Sequence, residues 1–367
     1  MKSAQFLGSA QRNAAQRQAY EDERRETTAT VSRIIAAHAD GIAKTLGAEA
    51  GKFASSLWNR RRFRAERHGR LRDWVVMTTL KMNGIERLTQ DHLAVIAAGE
   101  FYNMASYYQN WHLDGKHGVS DGLEGKLCHV TSHLYREKAN ELIVRTNFPD
   151  SIRLKLLDGL SESNRAIQQG QAGEFSGFRI EDLKSANETK IVASYARRCL
   201  LLTGEFYGFS FAMGPIMAGA DPEPYRRIGR LFGTGLQMIN DVGDFCLDPD
   251  STSLPEKDYQ DQFADLEKGT MTLPVYELGK IADLHSYAGR LLGQEEKEHL
   301  LALMVDNKCF HSTRRMTNKI LRDLRKELHT LPANPRRDER SYATKLIFQS
   351  NKFYVGLREN HGYVWGV

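Results

Sequence analysis

A single all-α domain is predicted, on three observations. Apolar residues recur at helical spacing through most of the chain, as expected of helices that each bury one stripe. Strand-like alternation is nearly absent, and no Asn-Gly turn is flanked by β-branched runs. No repeat of solenoid period and no linker divides the 367 residues, and a hydrophobic content of 41% is ample for one sizeable core.

Residues 1–25 are polar and charged with few apolar anchors, which predicts a flexible or loosely helical arm ahead of a domain spanning 26–367. Val31, Ile34, Ile35, Ile42 and Leu46 then mark the first amphipathic helix. Further helices are predicted at 74–82, 90–108, 127–144, 152–168, 180–220, 224–247, 273–282, 295–306, 312–328 and 340–358. The 180–220 run is long enough to require a break, placed near Gly204 or Gly208. Pro222, Pro224, Pro249, Pro255, Pro332 and Pro335 punctuate the second half as turns.

One stretch, Leu231–Asp248, organises the functional reading. Read as a helix, it sets Asn240, Asp244 and Asp248 at i, i+4 and i+8, so three oxygen-bearing side chains share a face, with Asp241 at its edge. Leu236, Ile239 and Val242 form an apolar stripe beside that row. Hard oxygen ligands grouped in this way suit Mg²⁺, which takes one or two carboxylates and completes its shell with substrate phosphates. The alternative from spacing alone is a solvated acidic edge.

Composition narrows the partners. With 51 Lys+Arg against 46 Asp+Glu, the basic surplus is mild and does not imply a polyanionic partner. The cluster Arg60, Arg61, Arg62, Arg64, Arg67, Arg70 and Arg72 lies in no nucleic-acid module, so it reads as a solvated face or a phosphate-binding lip, and nucleic acid is not expected. Cys128, Cys199, Cys246 and Cys309 have no metal spacing and read as free thiols in a reducing compartment. No apolar run reaches the about 18 residues of a membrane span, and no signal-peptide core is visible, so a cytoplasmic protein is expected.

Several short motifs fall in order along residues 30–358. Leu231–Phe245 carries Gln237, Asn240, Asp241 and Asp244; Asp265–Pro274 reads DLEKGTMTLP; Gly170–Glu174 reads GQAGE; Leu331-Pro332 precedes Arg336 and Arg337. Together they resemble the trans-isoprenyl diphosphate synthase (polyprenyl synthetase) family. That resemblance implies an all-helical bundle around a central cavity, whose two aspartate-rich helices hold Mg²⁺ against an allylic isoprenyl diphosphate. It also implies a homodimer, or a heterodimer with an active prenyl diphosphate synthase. Asn240, Asp241 and Asp244 fall on the second motif's acidic positions, Asp241 and Asp244 being the catalytic candidates, with Asp248 a further metal candidate.

The sequence departs from the pattern elsewhere. The first aspartate-rich motif reads Asn110, Trp111 and Asp114, with Asn110 and Asp114 left as metal candidates and Lys116 and His117 in place of the following basic pair. The early Gly-Lys-x-x-Arg motif is resembled by His68-Gly69-Arg70-Leu71-Arg72, with Gly69 at the lysine position and Arg72 keeping the arginine; the midway Lys-Thr pair reads Leu202-Thr203; and a later basic position is Thr270. Arg70, Arg72, Lys116, His117 and Lys268 are the diphosphate-binding candidates, with Arg64, Arg67 and Arg198 as further compensating cations. Phe101, Tyr102, Ala105, Ser106, Trp111, Thr203, Phe206 and Gln237 are the cavity candidates. These losses point first to an enzyme that ionises a single allylic diphosphate, with terpene-synthase-like cyclisation or elimination. The alternatives are a divergent prenyltransferase joining that diphosphate to isopentenyl diphosphate or another acceptor, and a non-catalytic regulatory subunit.

Overall fold

The computed structural model describes residues 2–68, 71–114, 122–183, 187–245 and 262–332. Among them helices dominate, and the β contacts reduce to a bridge between Arg179 and Thr270. In chain order the helices are α1 (Lys2–Thr45), α2 (Ala48–His68), α3 (Leu71–Met82), α4 (Gln90–Asp114), α5 (Leu123–Val144), α6 (Asp150–Ser176) and α7 (Glu188–Cys199). A π-helical turn, Leu200–Gly204, leads into α8 (Glu205–Met217). There follow α9 (Glu223–Gly243), α10 (Ala264–Glu267), α11 (Leu273–Gly279), α12 (Gln294–Asp306) and α13 (His311–Thr330). The helix predicted at 340–358 lies outside the described residues. No helix among the described residues is long and apolar enough to cross a membrane. Cys128, Cys199 and Cys309 are buried, and Cys246 is outside the described residues.

The chain gathers into two compact units, residues 1–159 with 210–222, and residues 160–209 with 223–367. In the first unit α4 pairs along α5, and α1 packs on α2, α3 and α4. Ile35, Leu57, Trp58, Met77, Phe101, Tyr102, Tyr108 and Tyr135 are buried at its centre. Gly214 allows the closest approach there: a Cβ on it would stand 2.2 Å from Thr79 Oγ1 and 2.6 Å from the Leu80 amide nitrogen.

The second unit is built on α9, which packs against α13, α7 and the π-helical turn. Helix α9 is strongly amphipathic, with Ile228, Phe232, Met238, Ile239 and Val242 buried. Its glycines set the approach. A Cβ on Gly229 would meet the Tyr207 carbonyl oxygen at 2.3 Å, and one on Gly233 the Thr203 carbonyl oxygen at 2.3 Å. From the opposite side, a Cβ on Gly204 would meet Thr234 Oγ1 at 2.6 Å. The predicted break in 180–220 therefore has two parts. The chain does change helical form at Leu200–Gly204, but the glycines serve backbone approach to α9.

Two boundaries differ from expectation in ways that bear on function. Helix α6 continues past Gln168 to Ser176, so Gly170–Glu174 lies on a helix. Helix α9 ends at Gly243 and a turn follows at Asp244 and Phe245, where a continuing helix was expected; residues 246–248 lie outside the described residues. The Phe245 amide bonds the Val242 carbonyl oxygen in a tight turn, and Phe245 drops into an aromatic cluster with Phe263, 5.1 Å away edge-on, and Phe310. Burial of that ring draws the backbone off the helix axis.

Candidate functional site

Helix α7 starts at Asn187, whose side chain caps the Thr189 amide. One face of it, continued into the π-helical turn, carries Tyr195, Arg198, Cys199 and Leu202 at i, i+3, i+4 and i+7, so a lone arginine is set beside the buried Tyr195 and Cys199. The Arg198 side chain is 10% exposed and reaches Asp241 on α9, with Nη2 3.0 Å from Oδ2. Its other terminal nitrogen lies 3.8 Å from Glu174 on α6, and the guanidinium stands over the Tyr195 ring at 5.5 Å.

Asp241 is held on its second oxygen too. Gln237, one turn earlier on α9, donates to Oδ1 at 2.7 Å, while its own carbonyl oxygen accepts from the Thr203 hydroxyl. A chain of polar contacts therefore runs from the π-helical turn through Gln237 and Asp241 to Arg198. Single π-helical turns inside α-helices are frequent at functional sites; here the turn presents Thr203 to α9.

Asp244 follows the end of α9, buried, and its Oδ2 accepts the Asp265 amide at 3.2 Å. The Asp244 carbonyl oxygen accepts the Phe263 amide at 2.9 Å, so the chain re-enters beside the point it left. Asp265 opens α10, and that short helix is tied down through Glu267, whose Oε1 accepts the Leu292 amide at 2.9 Å and pairs with buried Lys297 at 3.2 Å.

Glu174, Asp241 and Asp265 thus act on one guanidinium, with Asp244 beside the last two. Burial pushes the Asp241 carboxyl above its ordinary value, with the neighbouring Asp244 charge adding to the effect, against Arg198 and Gln237, which hold it down. The Asp265 carboxyl is pushed well above its ordinary value by burial and by the charges of Asp244 and Asp241. Burial works against the charge on Arg198, but Asp241 and Asp265 outweigh it and hold the guanidinium protonated.

Several sequence-derived candidates are placed differently from expectation. Asn240 is exposed while Asp241 is buried, so the inward face of α9 carries Gln237 and Asp241 rather than Asn240, and Asp244 is buried past the end of the helix. Asp248, Arg70, Lys116 and His117 lie outside the described residues. Leu202 packs on α6, where a Cβ on Gly170 would touch its side chain at 2.9 Å. Thr270 is buried and accepts from Arg179 Nη1 at 3.4 Å, and the same guanidinium donates to the Lys268 carbonyl oxygen.

In the first unit Asn110 and Trp111 are half-buried near the end of α4, which closes at Asp114. Arg72 stands over the Tyr107 ring at 5.9 Å. Phe101 and Tyr102 are core rings: Phe101 packs edge-on to Tyr135 at 5.1 Å, and Tyr102 is 1% exposed. Ala105 is buried, and the Ser106 hydroxyl donates to the Tyr102 carbonyl oxygen at 3.2 Å. Trp111 packs on Tyr108 at 5.5 Å.

A cavity of about 280 Å³ opens in the second unit between α6 and α7, lined by Glu174, Tyr195, Arg198, Ile191, Thr270 and Met271 among others. Thr203, Phe206 and Gln237 are not in its wall; Phe206 is buried against Tyr207, with ring centroids 6.0 Å apart.

This arrangement of helices recurs in known structures. A decaprenyl diphosphate synthase from Rhodobacter capsulatus matches with a TM-score of 0.68 at 16% identity, over 90% of this chain and 98% of that one. A heptaprenyl diphosphate synthase from Staphylococcus aureus matches at 0.66 and 17% identity, over 88% and 98%. The chain has the prenyl diphosphate synthase fold. A polyprenyl synthase from Caulobacter crescentus, complexed with calcium and isoprenyl diphosphate, shares that fold at a TM-score of 0.66 and 18% identity, over 88% of this chain and 97% of that one. No family model matches the chain, and no curated protein does.

Within the prenyl diphosphate synthase fold, the sequence reading singled out Asp241 and Asp244, whereas it did not place Arg198, Tyr195 and Asp265 beside them. The available signal was the α7 face itself: an arginine spaced between tyrosine, cysteine and leucine at helical intervals is a buried arginine, and a buried arginine requires a carboxylate.

Proposed function

We propose that the chain is a divalent-metal-dependent enzyme that ionises an allylic isoprenyl diphosphate and transfers the prenyl group to an acceptor. The observation that carries this reading is the set Glu174, Asp241 and Asp265 about Arg198, with Asp244 beside Asp241 and Asp265, in a fold whose solved examples include prenyl diphosphate synthases. Departure of a diphosphate builds negative charge on the leaving oxygens, and a metal ion with fixed cations stabilises it.

The donor set suits Mg²⁺. It is all oxygen, and its carboxylates outnumber the one guanidinium, an imbalance that adds to burial in raising the Asp265 carboxyl. Among the described residues no three acidic, histidine or cysteine side chains form a metal cage by themselves. Mg²⁺ takes one or two carboxylates and leaves the remaining positions to water and substrate phosphate. Asp244 and Asp265 are the residues we assign to it, with Glu174 beside them. Asp241 has a different task, since Arg198 and Gln237 occupy its two oxygens. The Caulobacter crescentus structure, with its calcium and isoprenyl diphosphate, supports a divalent ion and this substrate class.

A second reading ends the same ionisation in cyclisation or elimination, without isopentenyl diphosphate. It is favoured by Leu202 and Thr270, whose side chains bring no charge to the site. Incubation with C10, C15 and C20 allylic diphosphates and Mg²⁺, with and without isopentenyl diphosphate, separates the two by product mass. Elongated products support transfer, and hydrocarbons or alcohols of unchanged carbon number support the second reading. No pyrophosphate release from any of them overturns both and leaves the non-catalytic subunit, tested by restored turnover with an active synthase. A dimer is part of the proposal, to be read by light scattering.

A further inference from the structure

We infer that the outer face of α13 docks on an anionic lipid bilayer, holding the chain at a membrane surface without crossing it. Helical geometry defines the face. Thr313, Thr317, Leu324 and Leu328 are buried on one side of α13, where the helix packs on α9 and α11. Opposite them His311, Arg315, Lys319, Arg322, Lys326 and His329 are all exposed. At about 100° and 1.5 Å per residue, these side chains fall within a sector of roughly 80° and form a row about 27 Å long. No other residue of α13 falls in that sector.

The row is unusual in its charge. Over the whole chain the basic surplus is mild, 51 Lys+Arg against 46 Asp+Glu, yet on α13 the exposed sector carries no carboxylate. Asp323 and Glu327 stand half-buried to one side of it. Asp323 meets Lys326 at 3.3 Å, in a pair whose lysine side chain is 78% exposed, and Glu327 is engaged by Arg227 of α9. A pair as solvated as Lys326–Asp323 contributes little. Elsewhere in the second unit, surface cations meet carboxylates directly: Lys280 meets Glu188 and Glu277, and Arg290 meets Glu296. Along the α13 row, Arg315, Lys319, Arg322 and Lys326 succeed one another at i+4, i+3 and i+4, so like charges are neighbours throughout. Such neighbours destabilise a helix, and a negative surface laid along the row removes the repulsion.

Shape and composition select a bilayer as that surface. A straight row on one helix face meets a plane of headgroups along its full length, and clusters of Lys and Arg on an amphipathic helix bind anionic lipids in this way. Single-stranded nucleic acid is held by aromatic stacking beside the cations, and the sector has no Phe, Tyr or Trp. It has no large apolar side chain either, so contact is with headgroups alone and is weakened by salt. That agrees with the lack, among the described residues, of a helix able to cross a membrane.

The test is flotation of the full chain with vesicles of phosphatidylcholine alone or mixed with phosphatidylglycerol, at low and at high salt. One variant combines Arg315→Gln, Lys319→Gln, Arg322→Gln and Lys326→Gln. A second lowers the net charge equally at exposed lysines elsewhere, with Lys44→Gln, Lys126→Gln, Lys155→Gln and Lys190→Gln. The wild-type chain is expected to float with the mixed vesicles at low salt, and to stay behind with phosphatidylcholine alone or at high salt. The α13 variant is expected to bind roughly 10²–10³-fold more weakly, at about fivefold for each cation, with its thermal unfolding midpoint retained or raised. The second variant is expected to stay within a few-fold of wild type. Equal losses in the two variants make the binding a matter of net charge and overturn the docking face. So does wild-type affinity in the α13 variant, or a wild-type chain that ignores the mixed vesicles. Single-stranded RNA that displaces the wild-type chain from the vesicles, and binds the α13 variant more weakly, assigns the row to nucleic acid and overturns the bilayer. None of these measurements uses turnover, so each result leaves the enzymatic reading as it stands.

Discussion

Arg198 and Asp241 form a salt bridge of 3.0 Å between side chains that are 10% and 4% exposed. Removing one member of such a pair strands a charge away from water, at about 3–5 kcal/mol, whereas removing both with similar volume is often neutral. Arg198→Met is therefore expected to lower unfolding stability by that amount. Adding Asp241→Asn to it is expected to restore most of the loss. Urea unfolding of the two single variants and the double variant measures the coupling.

The close approach of α9 to the π-helical turn predicts opposite outcomes for one kind of substitution. Gly233→Ala places a Cβ 2.3 Å from the Thr203 carbonyl oxygen, a backbone atom that cannot swing aside. It is expected to cost about 1–3 kcal/mol or more, as overpacking does. Gly173→Ala, on a helix with nothing within 4 Å of the new atom, is expected to stabilise by roughly 0.5–1 kcal/mol through helix propensity. Equilibrium unfolding midpoints of the two variants report both signs.

These glycines show where sequence reading succeeds and where it stops. Helical periodicity placed the helices, because a stripe of apolar residues is a property of each segment by itself. Gly204 and Gly208 were read as a break because a glycine's local cost is visible in sequence, whereas the oxygen it approaches on another helix is not. Asp241 and Asp244 were singled out for the same local reason. Their inequality was not: Asp241 turns inward to Arg198, 43 residues earlier, and Asn240 turns to solvent. That depends on where α9 ends, and Phe245 ends it by entering a cluster with Phe263 and Phe310.

In the first unit His92 predicts a pH dependence of stability. Its Nδ1 accepts the Thr89 amide at 3.1 Å ahead of α4, and its ring packs on Phe148 at 5.3 Å. Burial lowers its pKa below the ordinary 6.5, with the Asp91 charge opposing only in part. The unfolded chain then binds more protons than the folded one in the window from 6.5 down to the folded value, so stability rises with pH across it. His38, also lowered by burial and by Lys138, acts in the same direction. Unfolding free energy is expected to fall as the pH is taken from 7 towards 5. In His92→Asn the fall is expected to be shallower, measured by urea titrations at half-unit intervals.

The division of labour among the acidic residues gives the sharpest expectation for activity. Asp244 is buried beside Asp265 at the turn that ends α9, and Asn240 is exposed one turn earlier. If Asp244 holds the metal that stabilises the departing diphosphate, Asp244→Asn keeps its size and its bond to the Asp265 amide but halves the charge offered by that pair. Pyrophosphate release from an allylic diphosphate is then expected to drop by roughly 10²–10³-fold, as when a stabiliser of a developing anion is removed. The Mg²⁺ concentration for half-maximal rate is expected to rise, because the ion has lost a ligand. Asn240→Ala is expected to stay within a few-fold of the wild-type rate at the same Mg²⁺ concentration, and a chelator is expected to abolish turnover in the wild-type chain. An equal loss in Asn240→Ala and Asp244→Asn returns the metal to the outer row of α9 and removes the buried turn from the assignment.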